Sequence, residues 1–339
     1  MKPLRFVVVG LGARSRTWRN VLTEHPHCAL VGLVETESER GSRVAAEHPD
    51  AVLGSSLAEV LETVEADVAL LCTPPGGRHG QIATACSAGL AILAEKPLAD
   101  SLIDAQAHVD AARAAKVPLA VGLNFRYLAV TRALKELFRP ERLGAPEFGR
   151  FTYERWRDGS LPGLNRYPLS MEHPMLWEQS IHHFDLMRFV YDSEPIQISA
   201  RTFNPSWSMY EDDANVAALI TFANGIEVNY QGTWAGNWQQ MGFEWRTECE
   251  RGIAVQGEMF GSLSYALRDD AEHTAVDLPD EEPWVDDARG FLNDFVDHFR
   301  LGAPLPCPGT DHLRSLRMVE ACIRASRGEG TVILSEEGV

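Results

Sequence analysis

Along the first third of the chain, short runs of unbroken apolar residues alternate with stretches of helical spacing. Residues 6–9, 30–34, 68–71, 91–93 and 119–121 are too uniformly apolar for strands with one wet face. Between them, residues 38–47, 57–64, 79–88 and 101–115 read as helices. Two of these carry boundary signals. Ser101 followed by Asp104 resembles a capping box, in which a side-chain oxygen accepts the free amide three residues on. Gly89 stands where the helix from His79 should stop, a position that favours a left-handed residue. Apolar strands alternating with helices predict a parallel sheet covered on both faces.

The rhythm changes after Asn124. Residues 216–223 and 226–234 flank Asn224-Gly225, whose easy access to positive φ makes it the strongest short hairpin signal. Further strands are expected at 148–156, 196–203, 243–250, 253–257, 263–267 and 274–278. Two late helices, 288–300 and 311–327, are separated by the Pro/Gly-rich 302–309. This half predicts an α+β domain with a large, mainly antiparallel sheet. A chain of 339 residues exceeds what one core usually holds, and the change of rhythm divides it into residues 1–123 and 124–339.

Charge and composition narrow the class. A formal net charge of −17 repels phosphate backbones and anionic bilayers, so neither nucleic acid nor membrane is expected as a partner. No apolar run reaches the roughly 18 residues that a membrane-crossing helix needs. Met1-Lys2-Pro3-Leu4-Arg5 leads into Phe6-Val7-Val8-Val9 and then Gly10, which reads as a first strand rather than a signal peptide. The six cysteines show no CxxC or zinc-ribbon spacing and are expected as free thiols in a reducing cytoplasm.

Chemistry enters at the first turn, Gly10-Leu11-Gly12-Ala13-Arg14-Ser15, which follows a strand and opens a helix. Gly10 permits the tight turn, and Gly12 lets the backbone approach a pyrophosphate. Free amides and the positive dipole end of the helix from Ala13 favour that anion. Ser15 stands where a third glycine or alanine is usual. Glu35 ends the second apolar strand, where a carboxylate accepts the adenosine ribose hydroxyls and repels a 2′-phosphate. NAD is therefore expected, with NADP as the alternative that Arg14, Arg16 and Arg40 keep open. Thr73 and Pro74 follow strand 68–71, and His79 opens the next helix. In a doubly wound sheet this carboxyl edge is where ligands bind, and the first domain is expected to be an α/β Rossmann fold. Glu95-Lys96-Pro97 ends the following strand at the same edge. The proline disfavours the α conformation for Lys96, and an ammonium there can polarise a substrate oxygen.

The glycine turn, Thr73-Pro74, Glu95-Lys96-Pro97 and Gly122-Leu123-Asn124-Phe125-Arg126-Tyr127 resemble, in order and approximate spacing, the Gfo/Idh/MocA family of glucose–fructose oxidoreductase, inositol dehydrogenase and rhizopine-catabolism proteins. The resemblance spans nearly the whole chain, and the Glu-Lys-Pro step is its most specific part. It implies an oxidoreductase that moves hydride between NAD(P) and a hydroxyl or ketone carbon of a sugar, polyol or derivative. It also implies that the second domain's sheet is open-faced and makes a homo-oligomer, dimer or tetramer. Glu95, Lys96 and Asn124 would join the cofactor contacts. The family's helix signature, Asp-x-Gly-x-His-x-x-Asp, here reads Glu178-Gln179-Ser180-Ile181-His182-His183-Phe184-Asp185, with Glu178 and Ser180 departing from pattern. The resemblance casts Lys96 and His182 as catalytic, His182 exchanging the proton, and Glu178 as a substrate-site carboxylate. An imidazole suits that role because it titrates near neutrality.

Glu178, His182 and Asp185 at i, i+4 and i+7 would share one helical stripe beside an apolar stripe of Trp177, Ile181 and Phe184. Arg126, Trp156 and His183 are candidate substrate contacts, with Arg155, Arg157, Asn165, Arg166 and the aromatic-rich 234–245 as further walls; core packing explains the tryptophans equally well. His173, Glu178, His182, His183 and Asp185 lie close in sequence, and the i, i+4 pair Glu178/His182 has a spacing that can hold zinc. Lys96 already supplies an electrophile, so no metal is expected. Two other functions use the same residues: NAD-dependent redox-assisted elimination or glycoside cleavage, and a non-catalytic dinucleotide-binding regulator. The presence of both Lys96 and His182 favours an enzyme over the regulator.

Overall fold

The computed structural model describes residues 2–161 and 164–334. The chain begins with β1 (Leu4–Val9), α1 (Ala13–Glu24), β2 (Cys28–Val34), α2 (Ser38–Glu47), β3 (Val52–Gly54) and α3 (Leu57–Leu61). It continues through β4 (Val68–Leu71), α4 (His79–Ser87), β5 (Ala91–Ala94), α5 (Leu102–Ala115) and β6 (Leu119–Val121). Next come α6 (Ala129–Leu137), β7 (Pro146–Glu154), α7 (Ile181–Tyr191), β8 (Pro195–Phe203), β9 (Asn215–Phe222) and β10 (Glu227–Thr233). The remainder is β11 (Gly242–Cys249), β12 (Gly252–Glu258), β13 (Gly261–Leu267), β14 (Thr274–Ala275), α8 (Asp286–Leu301), α9 (Gly309–Arg324) and β15 (Val332–Ile333). Two compact units result, Met1–Asn124 with Trp284–Leu313, and Phe125–Pro283 with Arg314–Val339.

In the first unit the sheet order is β3-β2-β1-β4-β5-β6, and every pairing is parallel. This is the doubly wound order that the alternating pattern predicts. Residues of β4, β5 and β6 are buried without exception, as strands covered on both faces must be. Ser101 caps α5: its hydroxyl oxygen accepts the Asp104 amide at 3.1 Å and donates to the Asp104 carboxylate at 2.6 Å. Gly89 follows α4 at φ +69°, the left-handed conformation that only glycine takes without strain. A single cut after residue 123 gives segment 284–313 to the second half, whereas here that segment returns to the first unit. The reason is apolar burial. In α8, Phe291 meets Trp18 edge-on at 5.9 Å and Phe295 meets Phe6 at 6.3 Å, all four side chains being fully buried.

In the second unit the nine strands run β14-β13-β12-β11-β7-β10-β9-β8-β15. All pairings are antiparallel except the central β7–β10 pair. Asn224-Gly225 turns β9 into β10 with Gly225 at φ +90°, and the Phe222 amide closes on the Ile226 carbonyl at 2.9 Å. Burial alternates along the strands. Phe151 and Tyr153, Val216 and Ile220, and Val228 and Tyr230 all point inward. Arg150, Thr152, Leu219, Asn229 and Gln231 line a shallow concavity of about 800 Å³ on the opposite, open face. Helix α7 lies on the inward face, where Phe184 meets Tyr230 at 5.0 Å. Its residues from Ile181 to Arg188 are all buried, so this helix has no wet side at all. The strand expected over 274–278 shrinks to Thr274–Ala275 at the sheet's edge, and α6 was not anticipated. Among the described residues no helix is long and apolar enough to cross a membrane.

Candidate active site

The residues singled out by sequence fall into two groups, one in each unit. In the first unit Gly10 adopts φ +85°, and a Cβ there would stand 2.8 Å from the Thr73 side chain. Gly12 precedes α1, and a Cβ on it would meet nothing within 4 Å. That open space beside the free amides from Ala13 onward is what a pyrophosphate requires. A cavity of about 350 Å³ beside the turn is lined by Gly10, Glu35, Thr36, Ser56, Thr73 and Gln81. The residues present thus fit a dinucleotide.

Glu35 is held as an anion. Its carboxylate accepts the amides of Leu11 at 2.9 Å, Thr36 at 2.9 Å and Glu37 at 3.1 Å, and Arg40 lies at 3.3 Å. Burial opposes the charge, but these amides and the Arg40 guanidinium together keep the carboxyl below its usual range. A 2′-phosphate would meet that charge. Of the arginines that keep NADP open, Arg40 is engaged by Glu35 and Glu37, and Arg14 by Glu95. Arg16 lines a smaller recess of about 180 Å³ with Gly12, Ala13, Arg19 and Arg43.

The corner after β5 is built around Glu95 and a residue that sequence reading missed, Arg78. Glu95 Oε1 accepts from Arg14 Nε and Trp18 Nε1, each at 2.6 Å. Burial again opposes the charge, and Arg14, Trp18 and Lys96 outweigh it. Arg78 is fully buried at the foot of α4. It donates to the carbonyls of Glu95, of Pro97 at 2.6 Å and of Thr73 at 2.5 Å. Two strand-end loops, Thr73-Pro74 and Glu95-Lys96-Pro97, are thereby tied to one guanidinium. Lys96 is half-buried between these anchors, and its peptide bond to Pro97 is cis. Thr73 donates its hydroxyl to Gln81 at 2.8 Å, and His79 at the start of α4 is exposed. Asn124 is buried, and its side-chain amide donates to Asp287 of α8. Burial raises Asp287 to about 6, against the nearby Arg14 charge and the Asn124 bond. Neither Arg78 nor Asp287 belongs to a motif, so no spacing in the sequence marks them.

In the second unit a π-helical turn, Leu176–Ser180, leads into α7. Its wider turn shifts Glu178 in register relative to His182 and Asp185, which stay three residues apart on α7. Glu178 accepts the Tyr167 hydroxyl at 2.6 Å. His182, 3% exposed, stacks on Phe125 with ring centroids 4.0 Å apart and an interplanar angle of 19°. Asp185 receives the Arg126 fork at 2.7 and 2.5 Å and the Ser315 hydroxyl at 3.1 Å. The guanidinium offered by sequence as a substrate contact is thus bound bidentately to a buried carboxylate.

His183 is also redirected. It is fully buried, with Nδ1 2.8 Å from the Tyr230 hydroxyl and Nε2 3.1 Å from the Gln179 amide. Tyr230 in turn donates to Ser180 at 2.8 Å, so its oxygen accepts from His183 Nδ1–H and leaves Nε2 to accept from Gln179. Burial lowers this imidazole to about 3, which keeps it neutral in the core. The same relay explains how Ser180 fits where the family has glycine. Trp156 is half-buried and bridges to Ala235 through its backbone. Arg157 stacks over Trp234 at 4.4 Å, while Asn165 and Arg166 are exposed. Of the aromatic segment, Trp234 and Trp245 are core residues and Trp238 is exposed. His173 faces Asp212 and Asp213 instead of the α7 residues. Among the described residues Glu178, His182, His183 and Asp185 form no three-residue group close enough to share an ion.

Comparison with known proteins agrees with both halves of this description. Residues 4–123 match the model of an oxidoreductase family with an NAD-binding Rossmann fold, and residues 131–255 match the GFO/IDH/MocA C-terminal domain. D-apiose dehydrogenase of Paraburkholderia graminis is 25% identical over 347 residues, covering 98% of this chain and 90% of its own. Protein y4oX of Sinorhizobium fredii is 26% identical over 290 residues, 80% of this chain and 78% of its own. The fold is similar to that of an oxidoreductase from Agrobacterium radiobacter solved with NAD+, L-tartaric acid and magnesium, with a TM-score of 0.88 over 98% of both chains at 18% identity. The protein belongs to the Gfo/Idh/MocA family of NAD-binding oxidoreductases.

Proposed function

We propose that the protein moves hydride reversibly between NAD and the carbinol carbon of a sugar, polyol or related hydroxy compound. The observation that carries this reading is the Glu95-Lys96-Pro97 corner, where an ammonium stands at the ligand-bearing edge of the sheet on backbone anchored by Arg78. When bound, NAD supplies the hydride acceptor or donor at its nicotinamide ring. Lys96 donates a hydrogen bond to the reacting oxygen and stabilises the negative charge that develops there. His182, its ring plane fixed by Phe125, takes the hydroxyl proton on oxidation and returns it on reduction. Glu178, oriented by Tyr167, accepts from a substrate hydroxyl. The sugar-like class is supported by the name of the D-apiose dehydrogenase relative.

The test is a cofactor-reduction screen over sugars, polyols and sugar acids, with NAD and NADP in parallel. Lys96→Ala is expected to lower turnover by about 10²–10⁴-fold with an unchanged circular dichroism spectrum. Undiminished turnover would reject the assignment. Sugar consumption without net NADH would instead indicate redox-assisted elimination.

The same reading extends to assembly and location. A homo-oligomer through the open face of the nine-stranded sheet is supported by Phe148, Phe203 and Leu219, which are exposed there. Phe148→Arg should lower the mass measured by light scattering; an unchanged mass would move the interface elsewhere. Residence in the reducing cytoplasm is supported by six free cysteines.

A further inference from the structure

We infer that His173, Asp212 and Asp213 bind one divalent first-row transition ion, with Zn²⁺ the best fit. The ion would join the start of the helical run that carries Glu178 and His182 to the loop between β8 and β9. His173 is only 5% exposed, and neither of its ring nitrogens has a hydrogen-bond partner among the described residues. A buried imidazole left in that state costs free energy unless something takes up its lone pair. One ligating atom from each of the three residues lies within 4.8 Å of the others. His173 Nδ1 stands 3.3 Å from Asp212 Oδ1 without hydrogen-bond geometry. That separation suits two ligands on one ion, since atoms bound tetrahedrally to zinc stand about 3.4 Å apart.

The carboxylates are already oriented. Asp212 Oδ1 accepts the amides of His173 at 3.2 Å and Asp213 at 2.6 Å, while Asp213 Oδ2 accepts the Thr202 hydroxyl at 2.7 Å. Asp213 Oδ1 has no hydrogen bond among the described residues and remains for an ion, and Asp212 Oδ1, held by these two amides, is the oxygen that stands at ligand distance from His173 Nδ1. The Asn204 amide fixes the loop by donating to the carbonyls of Tyr210 at 3.1 Å and Asp212 at 2.7 Å. Partners of this kind hold the ligands of protein metal sites in place. Both aspartates are half-exposed, so water can complete the shell. One imidazole with two carboxylates selects zinc or a neighbouring transition ion over calcium or magnesium, which prefer oxygen alone.

The ion would position, not react. His173 accepts the amides of Leu176 at 3.0 Å and Trp177 at 3.3 Å, so it stands at the head of the π-turn bearing Glu178. Binding is measured directly and does not depend on the proposed hydride transfer.

The chelator-stripped full chain is titrated calorimetrically with ZnCl₂, and reloaded protein is assayed by elemental analysis and, with Co²⁺, by visible absorption. One ion per chain is expected, with cobalt bands of low-symmetry coordination. His173→Gln and Asp213→Asn should each lower affinity on the order of 100-fold, and Thr202→Val about 10-fold. Circular dichroism and NAD affinity check that each variant is folded. Should His173→Gln fail to fold, Asp213→Asn and the cobalt spectrum of the native chain still decide. Zinc affinity unchanged in the variants, or no stoichiometric binding, would overturn the inference and leave a buried His–Asp contact with adventitious ions elsewhere.

Discussion

The strand-end corner of the first unit and helix α7 of the second both hold polar groups in the interior, but by opposite means. Glu35 and Glu95 are buried as anions, and each is surrounded by donors: three amides and Arg40 in one case, Arg14 and Trp18 in the other. Around α7 the relay Gln179–His183–Tyr230–Ser180 is neutral throughout and packed among Phe151, Tyr153 and Phe184. A buried charge is tolerable only while its counter-charges and donors stay in place. A neutral relay needs only each donor matched to an acceptor. Geometry in the first unit therefore rests on charge, and in the His183 relay of α7 on shape, with the Arg126–Asp185 and Arg188–Glu194 pairs as charged contacts of the same helix.

Four substitutions can break or sharpen this contrast. The largest effect is expected at Arg78, because Arg78→Met orphans three carbonyls at a cost of about 1–3 kcal/mol each. A loss of roughly 4 kcal/mol in urea unfolding is expected; a loss below about 1 would mean the corner holds without its guanidinium. Asp287 follows. Its carboxyl is raised to about 6 in the folded chain, so its stabilising share is complete below pH 4 and disappears as pH rises through 6. Asp287→Asn should be more stable than the native chain by up to about 3 kcal/mol at pH 7.5 and equal to it below pH 4.

His183 has the opposite sign. Its folded value of about 3 lies below that of the unfolded chain, so stability is full above pH 6.5 and falls as pH drops toward 3. At pH 5 the native chain should have lost about 2 kcal/mol from this group, and His183→Gln should flatten that part of the stability curve. Parallel curves for variant and native chain would show that His183 is charged in the core. The smallest effect is expected for Tyr230→Phe, about 1–2 kcal/mol, with little dependence on pH between 7 and 9 because the relay is uncharged. A steep dependence there would show that the α7 core relies on charge after all.

Local signals carried much of the fold. Uniform apolar runs located the strands of the parallel sheet, Asn224-Gly225 located the hairpin, and Ser101 and Gly89 marked helix ends, because each acts through its nearest neighbours. Strand β3, only Val52–Gly54, is too short to show a period. The π-turn before α7 is a register change that residue spacing does not reveal, and it shifts Glu178 relative to His182 and Asp185. The glycine turn, Glu35 and Lys96 were legible because strand ends and motifs coincide there. Arg78 acts through carbonyls distant in sequence and has no signature. Arg126 and His183 look like surface chemistry by residue type, and only the packing of α7 gives them interior partners. His173 was grouped with its neighbours on the helix, whereas a loop about 40 positions away faces it.

The return of Trp284–Leu313 to the first unit gives the fold a temporal order. On the ribosome the glycine turn and the Lys96 corner emerge early, but the helix that covers Trp18 and Phe6 emerges only after eight of the nine strands of the second sheet, β7 to β14. The cofactor-binding unit is therefore a split domain, interleaved in sequence with the second unit, whose own last segment follows Leu313. Expressing residues 1–124 alone would leave an uncovered aromatic face prone to aggregation. A fusion that joins Asn124 to Trp284 through a short linker is the fragment with its own complete core.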